Sequence, residues 1–203
     1  LIQGMKTYFE CIDCKTEIPA SVMVNHCGSC KNPLFVSTKT PDAVDNIINL
    51  GQGNTPVIRL KRIGLEFGVS DLWAKLEYLN PTGSFKDRGT AIMLAAVKEH
   101  GVSELVEDSS GNAGASVAAY AARFGMTAHI FAPSSTPQAK LTQIKKYAPK
   151  LHLIDGTRED TTKAAVAYVK NVGLVYASHA LSPYFLEGMK SFSYEVVKQL
   201  DIP

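Results

Sequence analysis

The chain has no long hydrophobic run. Its apolar stretches, such as Ala91 to Val97, fall far short of the roughly 18 to 20 residues that a membrane span needs, and no secretory signal pattern opens it. The compartment expected is therefore the cytoplasm. An excess of one charge is missing too: 21 basic against 19 acidic residues give a formal charge of +2, with the lysines spread along the sequence. That excludes the basic stripe of a nucleic-acid binder and points to a small-molecule partner. Internal repeats and low-complexity segments are also lacking. With 45% hydrophobic and 20% charged residues over 203 positions, the composition excludes a disordered or fibrous chain and allows a sizeable core. Leu1 to Gly4 precede Met5 and are set aside as a cloning remnant.

Cysteine is scarce but ordered. All four fall in two pairs, Cys11-x2-Cys14 and Cys27-x2-Cys30, twelve residues apart. In a reducing compartment, two such knuckles read as four thiolates closing a tetrahedron around Zn2+. The plainer alternatives are two disulfides or four free thiols. His26 is a weaker candidate to replace one thiolate. A closed four-thiolate site leaves no position for substrate, so the metal is structural and folds a ribbon, residues 5–35, too small for a core of its own.

Beyond the ribbon, Pro33 to Asp42 reads as a linker and Ala43 to Leu50 as a short helix ended by GQGNTP. From Asp71 onward, short apolar runs alternate with helical periodicity. DLWAKLE, VSELVED, MTAHIFA, KLHLI and LVYAS read as strands. Phe85 to Glu99, Ala113 to Phe124, Pro137 to Tyr147, Glu159 to Asn171 and Tyr184 to Leu200 read as helices. Repeated βα units predict an α/β fold, a parallel sheet with helices on both faces. The sequence stops at LDIP, after a helix and before the strand such a fold supplies next. The expectation is either a compact α/β domain or the first part of a longer protein.

Two loops stand where α/β proteins bind ligands, after a strand and before a helix. In NPTGSFKDRGT, Ser84 is the expected N-cap and Lys86 falls in the first helical turn. A cation there faces the positive end of the helix dipole, which favours the neutral, nucleophilic amine. The plainer reading is a solvated surface lysine. In DSSGNAGAS, two glycines, two serine hydroxyls and a helix N-terminus form a cradle for an anion. It matches neither the Walker A loop nor G-x-G-x-x-G, so a nucleotide is not implied. The plainer reading is a capped helix with a tight turn.

Together, N-P-T-G-S-F-K-D-R and, some two dozen residues later, S-S-G-N-A-G resemble the signature pair of fold-type II pyridoxal-phosphate enzymes, most closely the threonine synthases. GNTPVIRL at 53–60 and SPYFLEGMKS at 182–191 resemble two further stretches of that family, in which an N-terminal zinc ribbon is common. The Asp87-Arg88 pair favours the threonine synthase branch over the dehydratases. The resemblance implies a tryptophan synthase beta-like fold: residues 36–84 begin the large domain, 85–177 form the small α/β domain, and 178–203 return to the large one. It implies that Lys86 binds pyridoxal 5'-phosphate as a Schiff base and then moves protons as general acid and base. Phe85 then packs on the pyridine ring and Asn112 meets the cofactor's phenolic oxygen. Ser109, Ser110, Gly111, Asn112 and Ala113 receive the substrate carboxylate. Plainer roles for Phe85 and Asn112 are core residue and N-cap. The family's cofactor-phosphate loop lies downstream of Pro203, so the 203 residues alone are expected to bind cofactor weakly and to be inactive.

Departures bear on the substrate. Phe185 and Ser182 stand where the family has an arginine and an asparagine associated with the substrate phosphate, and Ala113 replaces a frequent threonine. His179 and Lys190 are the nearby candidates for an anionic group. The activity expected is that of a lyase converting O-phosphohomoserine to threonine with release of phosphate, in a homodimer. A dehydratase or β-replacement enzyme is the alternative within the family. Outside it stand a zinc-ribbon binding module and a non-catalytic homologue.

Overall fold

A computed structural model describes residues 7–37 and 49–202. The short helix expected from Ala43 lies outside the described residues apart from Asn49 and Leu50, which are not helical. Strands β1 (Tyr8–Cys11), β2 (Glu17–Pro19) and β3 (Leu34–Ser37) form an antiparallel sheet in the order β2-β1-β3. The linker expected from Pro33 is corrected at its start. Leu34 and Val36 turn inward, Val36 opposite Phe9, as the period of two in a half-buried strand demands.

A second correction concerns DLWAKLE. Its central residues form β5 (Trp73–Lys75), which pairs antiparallel with β4 (Val57–Arg59) across the short helix α1 (Lys61–Glu66) and does not join the parallel sheet. Both strands are three residues long and half of their residues are exposed, whereas parallel strands must be covered on both faces.

The remaining alternation holds. It comprises α2 (Lys86–Glu99), β6 (Glu104–Glu107), α3 (Asn112–Phe124), β7 (Thr127–Pro133), α4 (Gln138–Lys145), β8 (Lys150–Ile154), α5 (Arg158–Val172), β9 (Val175–Tyr176) and α6 (Pro183–Gln199). The parallel sheet has the order β8-β7-β6-β9. Along β6, Leu105 joins the core under α2 and α3 while Val106 joins the smaller cluster under α5, which also holds Phe131 and Ala165. Local signals agree with the elements: Thr157 and Asp160 form a capping box for α5, and Gly125, at φ 69°, closes α3.

Strand order decides where a ligand can sit. From β6 the chain steps to β7 and β8 on one side, then crosses back to place β9 on the other side of β6. The carboxyl ends of β6 and β9 therefore flank the point where the winding reverses, and there the loops to α3 and α6 separate and leave a crevice.

Helix α2 crosses α6 in backbone contact, since a Cβ on Gly188 would lie 2.3 Å from the Arg88 carbonyl oxygen. Beside that crossing Arg88, fully buried, donates to Glu77 at 2.7 Å and to Glu195 at 2.7 Å, and Lys75 meets Glu195 at 2.8 Å. Burial pushes Glu195 upward, but hydrogen bonds from Arg88, Lys75 and the Asn54 amide outweigh it and hold the carboxyl at about 2. A carboxyl depressed by folding stabilises the fold above its unfolded pKa, and that stability drains away as pH falls toward the folded value. Stability is thus expected to decline as pH drops from 4.5 to about 2. Glu195→Gln flattens that decline while lowering stability at neutral pH, where it leaves Arg88 under-compensated; urea melts across the range check both effects.

Candidate active site

The crevice beside β6 is lined first by the loop 108–111. Asp108, buried, receives Arg158 at 2.9 Å and the Thr162 hydroxyl at 2.6 Å, which anchors the loop to α5. Ser109 and Ser110 are half-buried, and the Ser109 hydroxyl accepts from the Gly111 amide at 3.3 Å. Gly111 occupies the N-cap position without a side-chain cap, so Asn112 is the first helical residue and not the cap; its side chain is exposed. The amides of Asn112 and Ala113 find no acceptor among the described residues. Gly114 lets the turn close this tightly, because a Cβ there would fall 1.9 Å from the Ser109 carbonyl oxygen. Unpaired amides at a helix N-terminus suit a carboxylate.

Lys86 opens α2. The cap expected at Ser84 is shifted by one: Phe85 takes the N-cap position, and the Ser84 hydroxyl accepts from the Lys86 amide at 3.3 Å. Burial lowers the Lys86 amine, against an opposing pull from the Glu107 carboxylate. The Nζ lies 4.8 Å from the centroid of Phe85 and 5.3 Å from that of Phe185. Phe85 is 40% exposed, so its ring is a free face beside the amine, not core packing. Phe185 is buried against Gly89. Lys190 is committed to Glu187 at 2.6 Å, and Ser182 is the buried N-cap of α6.

What holds these elements together was not legible beforehand. Asp87, fully buried, accepts from the Thr82 amide at 2.7 Å, the Thr82 hydroxyl at 2.6 Å and the Ser116 hydroxyl at 2.6 Å. One carboxylate thus ties the Lys86 loop to α2 and α2 to α3. The available signal was an acidic residue in a helix's first turn, where the dipole favours it. Glu107 was missed as well, and the fully buried Arg88 ties the Lys86 helix to α6 instead of facing the crevice.

The cysteine cluster lies apart from this crevice. The four sulfurs lie within 4.8 Å of one another, with Cys11–Cys30 at 3.4 Å and Cys14–Cys27 and Cys14–Cys30 at 3.6 Å. A tetrahedron with metal–sulfur bonds near 2.3 Å has edges of about 3.8 Å, so the donor set fits one small thiophilic ion. His26 is not in the cluster. The ribbon rests on α6 through Phe9 edge-on to Tyr184, centroids 5.3 Å apart, and on β9 through Asn25 Nδ2 donating to the Tyr176 carbonyl at 3.1 Å.

A lysine amine lowered by burial beside two aromatic rings, and a helix N-terminus with free amides at the winding reversal of a parallel sheet, point to a class. Residues 48–203 match the family described as "Pyridoxal-phosphate dependent enzyme", and the chain belongs to that family. Among curated relatives, threonine synthase of Bacillus sp. (strain ULM1) is 40% identical over 170 residues, 82% of this chain and 46% of that protein. Threonine synthase of Methanocaldococcus jannaschii is 35% identical over 156 residues, 76% of this chain and 38% of that protein. In structure, maize serine racemase superposes with a TM-score of 0.64 at 28% identity, covering 73% of this chain and 45% of that one. The chain thus spans about half, or less, of the length of these relatives. Among the described residues, no helix is long and apolar enough to cross a membrane.

Proposed function

We propose that this protein is a pyridoxal-phosphate-dependent lyase of threonine synthase type that acts on a small amino acid. The observation that carries the reading is Lys86: a lysine whose amine is lowered by burial, held at the start of α2 where the charge of Glu107, the last residue of β6, still acts on it. Lys86 binds the cofactor and serves as the base at the substrate Cα. When bound, the cofactor supplies the electron sink for charge developing at that carbon. The open face of Phe85 lies along the cofactor ring, Asn112 meets its phenolic oxygen, and the amides and hydroxyls of Ser109, Ser110, Gly111, Asn112 and Ala113 hold the substrate carboxylate. Zn2+ at Cys11, Cys14, Cys27 and Cys30 is structural. The protein works in the cytoplasm as a homodimer.

The relatives favour O-phosphohomoserine as substrate, converted to threonine with loss of phosphate. A second reading, a dehydratase or β-replacement enzyme, is favoured by Phe185, a buried apolar ring at the position where the resemblance places a phosphate-binding arginine. Mass spectrometry of products from O-phosphohomoserine, threonine and O-phosphoserine, using the intact protein loaded with cofactor, tests both. Threonine formed from O-phosphohomoserine supports the first reading, and a keto acid formed from threonine supports the second. No turnover of any amino acid contradicts the lyase assignment.

A further inference from the structure

The face of the parallel sheet that lies under α5 carries a chain of titratable groups with no part in the crevice. Successive strands place Glu104 on β6, His129 on β7, and Lys150 and His152 on β8, all on one side by the strand period of two. Glu104 meets His129 Nε2 at 2.9 Å and Lys150 Nζ at 3.1 Å, and His129 Nδ1 lies 3.1 Å from His152 Nε2. His129 is buried and His152 half-buried. The His152 ring lies flat on Phe131, centroids 4.3 Å apart, and the Tyr168 ring of α5 stands 5.1 Å from His129 and 5.2 Å from His152. The groups that face the two imidazoles are thus Glu104, Lys150 and the Tyr168 phenol. Glu159 and Lys163 of α5 pair with each other at its exposed surface.

Valence decides how this chain holds its protons. A carboxylate only accepts, so His129 Nε2 donates to Glu104; a neutral His129 then accepts at Nδ1, and His152 Nε2 donates to it. One further proton can be carried on the outer nitrogen of His152 without losing that contact. A second sets N–H against N–H across 3.1 Å, with the Lys150 ammonium close by. Burial, and then His129 and Lys150, hold His152 below the ordinary 6.5. A histidine depressed by folding takes its proton more readily in the unfolded chain. Its contribution to stability is therefore intact above 6.5 and is lost as pH falls from there toward the folded value.

Helix α5 joins this cluster to the crevice. Tyr168 touches the imidazoles, and about two to three turns earlier Arg158 and Thr162 hold Asp108, the anchor of the loop 108–111. Strand β8 lies at the edge of the sheet, paired only with β7, and leads into α5. Driving His152 away from His129 thus acts on an edge strand and on the helix that steadies the cradle.

We propose that His129 and His152 form an acid-sensitive latch on α5: joined, they keep β8 and α5 closed and the 108–111 loop in place, and once both rings are protonated they part and release it. The device is built from residues of the parallel sheet and α5 and depends on neither cofactor nor substrate.

Hydrogen exchange of the intact protein, read by mass spectrometry at about pH 7.5 and about pH 5 and corrected for the intrinsic pH dependence of exchange, tests this. At the lower pH, peptides from β8 and α5 and those spanning 108–116 are expected to lose protection about tenfold or more, while those from α2 keep theirs. In His152→Gln, whose side-chain amide still donates to His129 but takes no proton, protection in all these segments is expected to persist. Glu104→Gln removes the counter-charge, so its loss begins at a higher pH than in wild type. His179, paired with Glu107 at 2.8 Å in the crevice, is common to all three proteins and cancels in the comparison. Unchanged wild-type protection at the lower pH overturns the proposal, and so does an equal loss in His152→Gln. Should that variant fail to fold, Glu104→Gln decides, and a loss that begins at or below the wild-type pH overturns it.

Discussion

Replacing Lys86 with alanine in the intact protein is expected to lower turnover about a thousandfold or more and to abolish the borohydride-sensitive absorbance of lysine-bound cofactor. In the proposed reading one side chain carries two duties, binding the cofactor and moving the substrate proton. Its position is what fits it for the work. At the first residue of α2 it faces the positive end of the helix dipole, and burial lowers the amine further. Lys190→Ala is the control, because that ammonium is already committed to Glu187. Absorbance spectra before and after borohydride, with turnover measured alongside, check the expectation.

The second large effect belongs to the metal. One zinc per chain is expected, and Cys11→Ser, which removes a buried thiol of the cluster, is expected to unfold the ribbon. A three-stranded sheet of this size lacks a sufficient core, and structural zinc supplies roughly 10 to 16 kcal/mol of binding energy to such modules. The damage reaches the crevice. Phe9 rests on Tyr184, whose neighbour Phe185 packs beside Lys86, so loss of the ribbon loosens the start of α6. Released metal measured with a colorimetric chelator, and thermal unfolding of the variant, report the two consequences.

Most of the α/β alternation was legible because parallel strands are covered on both faces: β6 and β7 carry short apolar runs, Leu105-Val106 and Ile130 to Ala132, between helical periods. The turns before α2 and α3 were legible for a local reason, since glycine, serine and asparagine before a helix have local meanings that tertiary structure rarely overrides. The β4–β5 pair was misplaced because three-residue strands carry too little pattern to reveal their partner. Asp87, Arg88 and Glu107 escaped for the opposite reason. A charged residue in sequence reads as solvent-facing, and only the fold brings Thr82 and Ser116 to Asp87, Glu77 and Glu195 to Arg88, and His179 to Glu107. The knuckle spacing foretold which sulfurs would gather, and the strand that completes their ribbon lay where a linker was expected.

Which amine holds the cofactor is the central question. Borohydride reduction of the intact cofactor-loaded protein, followed by proteolysis and mass spectrometry, locates that attachment directly. The reduced pyridoxyl group is expected on the peptide carrying Lys86, in one copy per chain. A label on any other lysine, or no stable label at all, would contradict it.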